Sequence, residues 1–326
     1  MFCILSFRKR GNKILFWSVL LIILLIAILA ALYFVSNMFF RLACDRDYHV
    51  GVPNKEPSDG SENQLVKFSK EINEGAKRFD DMPTTRLSIK SLDGLLLSGR
   101  YLPVEGSKKT IILAHGYRSS AADFSCAWEL YRELGFNLLA IDQRAHGRSE
   151  GKYITFGVKE KDDVRLWAEY VDRVYQPETI ILDGISMGAA TVMMAADLPL
   201  PGSVKGIIAD CGFTSPWDQF EHVLKKNFHL PKFPLLYTCQ MIAKIKADFD
   251  FKAVSTLDTL KRTSLPILFI HGSKDDFVPP WMSDKNYKIC ASEKEYVKIE
   301  GAQHGTSFLI DTEKCKKALI GFLQKL

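Results

Sequence analysis

The sequence predicts an α/β fold: a mostly parallel, eight-stranded sheet with helices on both faces, a helical insertion, and one apolar helix ahead of it. Three observations predict this. From Thr85 onward, short strand-like runs alternate with helical stretches. The four inner runs are continuously apolar, as parallel strands covered on both faces must be. Ahead of them, Ile14 to Val35 is a run of 22 residues without a charge, long enough to cross a bilayer core as a helix.

That first helix lacks a polar face, which sets it apart from a buried core helix. A cleaved signal peptide carries a shorter apolar stretch and a small-residue cleavage site. The sequence therefore predicts an uncleaved transmembrane anchor over 14–36. Arg8, Lys9, Arg10 and Lys13 precede it, whereas Arg41 and Arg46 beyond it are diluted by Asp45 and Asp47. The positive-inside bias puts 1–13 in the cytoplasm and the main domain outside a single-pass cell-membrane protein. The same four basic residues carry most of the formal charge of +5 and leave +1 for 14–326. A nearly neutral domain lacks the bulk basicity of a nucleic-acid binder, and no nucleic-acid partner is expected. At 47% hydrophobic and 25% charged, the chain is neither disordered nor fibrous.

Residues 37–80 read as a juxtamembrane linker and helix. The polar stretch 45–63, with two prolines and two glycines, is the linker. Ser61 and Gln64 have capping-box spacing, and Leu65, Phe68, Ile72, Ala76 and Phe79 recur as one helical face. The main domain is 81–326. Asp93-Gly94, between β-type runs 85–91 and 95–102, predicts a hairpin. Strands follow at 110–115, 137–142, 179–184, 204–210, 266–272 and 295–301. Helices fall near 121–134, 158–174, 187–197, 281–290 and 311–325. Over fifty residues separate Asp210 from the next strand, too long for a structureless loop. Their middle part, about 216–250, is rich in aromatic residues and reads as a helical insertion. The seven cysteines (Cys3, Cys44, Cys126, Cys211, Cys239, Cys290 and Cys315) form no CxxC pair, and their spacing selects no disulfide.

Gly184-Ile185-Ser186-Met187-Gly188 follows a buried strand and opens a helix, the context of a nucleophile elbow. So sharp a turn requires small residues two before and two after the serine. It aims the hydroxyl at a helix N-terminus, where N–H groups stabilise developing negative charge. The bland alternative is a capping serine in a tight turn. A serine needs a base to be nucleophilic. His304 lies past the last strand, where loops after parallel strands converge. His115 and His271 also end strands, but glycine follows each and they look like parts of loop turns. His146 is near the edge, while His49, His222 and His229 lie off it. The base needs an acid to hold its tautomer. Asp275 is the first choice, Asp276 the second and Asp210 a more remote one.

With these motifs in hand, residues 85–326 resemble the α/β-hydrolase family. They are closest to membrane-anchored bacterial hydrolases grouped with acyl esterases and prolyl-oligopeptidase-like enzymes. The resemblance is carried by His115-Gly116-Tyr117, by Asp142-Gln143-Arg144-Ala145-His146-Gly147-Arg148-Ser149, by the Ser186 elbow, and by the loops bearing Asp275 and His304. The chain order Ser186, Asp275, His304 is the family's triad order. The resemblance implies an oxyanion hole from the backbone N–H groups of Tyr117 and Met187. It also implies a supporting role for Asp142, Arg144 and His146, and no metal or organic cofactor. The chain lacks the HGGG loop of one lipase group, and Ser186 stands where dehalogenases carry aspartate. The insertion resembles a cap, with Trp217 and Phe220 among the side chains expected to face an acyl substrate. The implied reaction is hydrolysis of a small-molecule carboxylic ester through an acyl-enzyme. The same triad would serve a peptidase, an amidase or an acyltransferase. From another class comes a non-catalytic, membrane-tethered binding module.

Overall fold

The computed structural model describes residues 2–48, 62–123 and 127–326, with side chains from residue 15 onward except at 123. Residues 49–61 of the expected linker, Ser61 of the expected capping box, Cys126 and the side chain of Cys3 lie outside the described residues.

The first helix, α1 (Phe2–Cys44), has 43 residues, roughly 65 Å at 1.5 Å per residue. Nothing between residues 12 and 50 is glycine or proline, so nothing in the sequence breaks it. Its side chains from Leu15 to Val35 are exposed, the half-buried Leu32 apart. From Ser36 the character changes: Ser36, Phe40 and Cys44 are almost wholly buried. The helix therefore runs unbroken past 36, where the sequence suggested a linker, and its last turns dock on the main domain. Next come α2 (Gln64–Lys67) and α3 (Ser69–Asp80). Asn63, not Ser61, caps α2, its side chain accepting from the Leu65 N–H. Phe79 alone of the expected apolar face is fully buried, under Trp128.

The sheet and its helices follow in chain order. They are β1 (Thr85–Lys90), β2 (Leu96–Leu102), β3 (Lys109–Ala114), α4 (Trp128–Glu133), β4 (Asn137–Ile141), α5 (Glu160–Tyr175), β5 (Thr179–Ile185), α6 (Met187–Met194) and β6 (Val204–Asp210). Two insertion helices, α7 (Pro216–Phe228) and α8 (Leu235–Ala247), precede α9 (Thr256–Thr259), β7 (Ile267–Gly272), α10 (Trp281–Ile289), β8 (Lys294–Ile299), α11 (Ser307–Ile310) and α12 (Thr312–Leu323). The eight strands lie in the order β1-β2-β4-β3-β5-β6-β7-β8, and β2 alone runs against the rest. The chain leaves β3 toward β4 on one side and returns to β5 on the other. That reversal opens a crevice at the carboxyl ends of β3 and β5.

Apolar periodicity explains the two helix layers. On α5, Val164, Trp167, Ala168 and Val171 share one buried face against the sheet. Acidic Glu160, Asp162 and Asp163 occupy its first turn, and left-handed Gln176 ends it. Replacing the fully buried Trp167 with alanine is expected to cost about 3–5 kcal/mol. The opposite face carries Tyr131 of α4 with Cys315, Leu319 and Phe322 of α12. A third cluster joins α7 and α8 to Phe40 and Cys44 of α1. Ser215 caps α7, its hydroxyl accepting from the Asp218 N–H at 3.1 Å, and left-handed His229 and Asp248 stop α7 and α8.

Candidate active site

Ser186 sits between β5 and α6 with φ +57° and ψ −115°. A non-glycine residue in that region costs about 1–3 kcal/mol and persists only where its surroundings impose it. The imposition is steric. A Cβ on Gly184 would lie 2.3 Å from the carbonyl carbon of Gly188, and one on Gly188 only 1.8 Å from the Ala114 oxygen. Only glycine fits at either place, so strand, serine and helix are pressed together and the side chain is forced out over the crevice. The Ser186 N–H donates to the Asp210 carbonyl at 2.8 Å and ties the turn to β6.

Three side chains meet there. The Ser186 hydroxyl lies 2.8 Å from Nε2 of His304, and Nδ1 of His304 lies 2.7 Å from Oδ2 of Asp275. With Nδ1–H donating to the carboxylate, Nε2 is left to accept the serine proton. The other oxygen of Asp275 accepts from the N–H groups of Phe277 (3.0 Å) and Val278 (2.8 Å), which fixes the carboxylate plane. His271, fully buried, adds its Nε2 at 3.2 Å from Oδ2. Asp276 is turned elsewhere: its carboxylate pairs with Lys226 at 3.5 Å, and its carbonyl meets Nε2 of His222 at 2.9 Å. Asp210, half-buried at the end of β6, has the Ser307 hydroxyl at 3.4 Å.

The electrostatics agree with this geometry. Burial alone would raise the Asp275 carboxyl, but His304 and His271 outweigh it and hold it well below the usual carboxylate range. Burial pushes the His304 imidazole down; the Asp275 charge and hydrogen bond, then Asp210 and Asp276, more than reverse this and raise it above 6.5. Burial pushes Asp210 up to about 6. Cys211, Asp275 and His304 offer possible metal-ligand atoms within 4.8 Å of one another. Yet both nitrogens of His304 are engaged by Ser186 and Asp275, and burial raises the Cys211 thiol well above its ordinary value. A protonated thiol is a poor ligand, so this donor set suits the serine better than a cation.

Two further histidines, His115 and His146, are held as neutral parts of the scaffold. His115 accepts from the Gln143 N–H at Nε2 and faces the Gly116 carbonyl with Nδ1; burial pulls its pKa down to about 3. His146 accepts from the Arg118 N–H, and burial lowers it too. Asp142 accepts from the N–H groups of Ala121 and Arg148, while Arg144 pairs with Asp163 and Asp93. These bonds brace the loops at the rim.

A cavity of about 230 Å³ opens beside Ser186, and Tyr117 and Met187 line it too. Among the described residues, neither the Tyr117 nor the Met187 N–H donates to a protein acceptor. Phe220 is in the wall. Trp217 is not: it lies one turn nearer the start of α7, against the Tyr237 ring at 5.0 Å and under the Lys252 ammonium at 3.7 Å. Sequence reasoning missed the opposite wall. It is built by Phe39, Phe40, Leu42 and Ala43 from the end of α1. The sequence shows only that Met38-Phe39-Phe40 extends the apolar run with no helix breaker after it, which does not say where that end docks.

Comparison with known proteins places these features in context. The family model described as serine aminopeptidase, S33, matches residues 105–255. The uncharacterized protein YqkD of Bacillus subtilis is 28% identical over 249 residues, 76% of this chain and 82% of the relative. The uncharacterized membrane protein YNL320W of Saccharomyces cerevisiae is 24% identical, covering 73% of this chain and 81% of its own. Among solved structures, the Pyrococcus furiosus esterase Pf2001 superposes with a TM-score of 0.62 at 24% identity, over 76% of this chain and 94% of that one. The acylaminoacyl peptidase of Pyrococcus horikoshii does so with 0.54 at 18% identity, over 77% of this chain and 42% of that one.

Proposed function

We propose that this chain, which has the α/β-hydrolase fold, is a working member of that family and cleaves carboxylic esters through a Ser186–His304–Asp275 triad. The observation that carries the reading is the unbroken relay from the Ser186 hydroxyl through His304 to Asp275, at 2.8 and 2.7 Å. His304 takes the serine proton as Oγ attacks the ester carbonyl. The Tyr117 and Met187 N–H groups receive the oxyanion. His304 returns the proton to the leaving alcohol, then activates the water that releases the acid.

The lining of the cavity favours an ester over a peptide. Among the described residues it contains no charged side chain, and its polar side chains are those of Ser186, Tyr117, Gln219, Asn227 and Cys239. An aminopeptidase needs an acid to hold the substrate ammonium; an acyl chain needs only apolar walls. Ser186→Ala is expected to abolish p-nitrophenyl butyrate turnover with the fold intact, and undiminished activity ends the reading.

The same proposal keeps α1 as an uncleaved anchor. Cleavage between Phe40 and Cys44 would remove Phe39 and Phe40 from the core and open one wall of the cavity. The flanking charges favour a cytoplasmic N-terminus and an external domain. Protease added to intact cells is then expected to digest the domain, and full protection refutes that orientation.

A further inference from the structure

We propose that the ester cleaved is that of a lipid lying in the same bilayer as α1, whose acyl chain passes sideways into the cavity along the end of that helix. This rests on the hydrolase reading above and names its substrate class.

Distance along α1 is the first argument. The run of exposed, uncharged side chains ends at Val35, and Phe39 is already in the cavity wall. Four residues of helix span about 6 Å. The headgroup layer on each side of a bilayer is about 5–8 Å thick. With α1 spanning the membrane, the cavity wall therefore stands at the level of the headgroups.

The second argument is rigidity. The Tyr117 hydroxyl donates to the carbonyls of Leu42 (3.1 Å) and Ala43 (2.9 Å), and Arg118 donates to those of Leu42 (3.2 Å) and Asp45 (3.1 Å). The Leu42 and Ala43 carbonyls are among those that a helix end leaves unpaired. Near the other end of the docked segment, the Cys239 thiol meets the Ser36 carbonyl at 3.3 Å and Lys246 donates to Asn37 at 2.8 Å. The loop carrying Tyr117 is thus bolted to the membrane helix, and the site cannot swing away from the surface.

The third argument is the outer face of α8, which packs beside α1. Tyr237, Met241 and Ile245, one turn apart, are 42%, 62% and 81% exposed. Phe233, a turn earlier, is 70% exposed. A bare apolar stripe of this kind is costly in water and stable in an interface. It lies on a helix that packs on α1 through the Cys239–Ser36 and Lys246–Asn37 contacts, beside the end of the span. The bilayer is therefore its occupant.

The chemistry balances without a further reactant. Ser186 takes the acyl group, the lipid alcohol leaves with the proton passed by His304, and water then supplies hydroxide to the acyl carbon and a proton to the serine.

The test uses the full chain in phosphatidylcholine vesicles, with 4-methylumbelliferyl oleate dissolved in the bilayer and 4-methylumbelliferyl butyrate in the water. The intact protein is expected to cleave both. The pair Met241→Glu and Ile245→Glu is expected to slow the oleate at least tenfold and leave the butyrate within twofold. Should the pair slow both esters, Ile245→Glu alone, at the most exposed position, decides between them. Equal loss on both esters in Ile245→Glu alone, or no loss on the oleate in the pair, overturns the inference. Cleavage of butyrate but not oleate by the unaltered protein overturns it too and leaves the hydrolase reading standing; cleavage of neither removes that reading itself.

Discussion

Nε2 of His304 stands 2.8 Å from Oγ of Ser186 although the two are 118 positions apart in the chain. If this contact activates the serine, its support matters as much as its length. Asp275→Asn keeps the shape of the acid but offers an amide where the imidazole needs a carboxylate. Ester turnover is expected to fall about ten-thousandfold, with circular dichroism unchanged. A loss below tenfold would assign the acid's role to another group.

The pH dependence follows from the sign of the His304 shift. A general base works only when neutral. Burial lowers its pKa, but Asp275 and the acids behind it raise it further, so the imidazole keeps its proton to a pH above 6.5. Activity should therefore be lost as pH falls through a midpoint above 6.5 in kcat/KM. In Asp275→Ala the residual activity should show that midpoint displaced downward. An acid limb below 6 in the unaltered chain contradicts this account of the site.

The elbow makes a stability prediction. A methyl on Gly188 collides with backbone at 1.8 Å, which no rotamer change relieves. Gly188→Ala is expected to destabilise the fold by more than about 3 kcal/mol or to prevent its accumulation. Gly202→Ala meets nothing within 4 Å and should lie within about 1 kcal/mol of the parent, read by urea unfolding.

A buried acid outside the triad predicts a different pH effect. Asp183 accepts from the Tyr131 hydroxyl at 2.7 Å, and burial pushes its carboxyl up to about 7. Its folded pKa lies above its unfolded value, so its contribution is present at low pH and lost as pH rises through about 7. Asp183→Asn, which keeps the acceptor and cannot ionise, should therefore gain on the parent as pH rises. The difference in Tm between them is expected to grow by roughly 4 °C from pH 5 to pH 8 in thermal unfolding.

Much of the sheet was legible because burial writes it into the chain. Ile111 to Ala114 and Ile180 to Leu182 are continuous apolar runs, and these are the central parallel strands β3 and β5. Ser186 was legible because two glycines flank it at the one spacing its turn permits. Asp275 was preferred to Asp276 from the sequence, but the two are adjacent and only side-chain direction separates them: Asp275 meets His304 and Asp276 meets Lys226. Trp217 was misplaced because an aromatic at the start of a helix packs equally well on a neighbouring helix. The wall from α1 was obscured by composition. Phe39 and Phe40 look like the tail of a membrane segment, and no local pattern says that such a tail docks into a catalytic domain.

The most direct measurement is labelling of the full chain with a fluorophosphonate probe, followed by peptide mass spectrometry. The account predicts stoichiometric modification at Ser186, lost in His304→Ala. Absence of labelling in folded protein, or labelling at another serine, would contradict it.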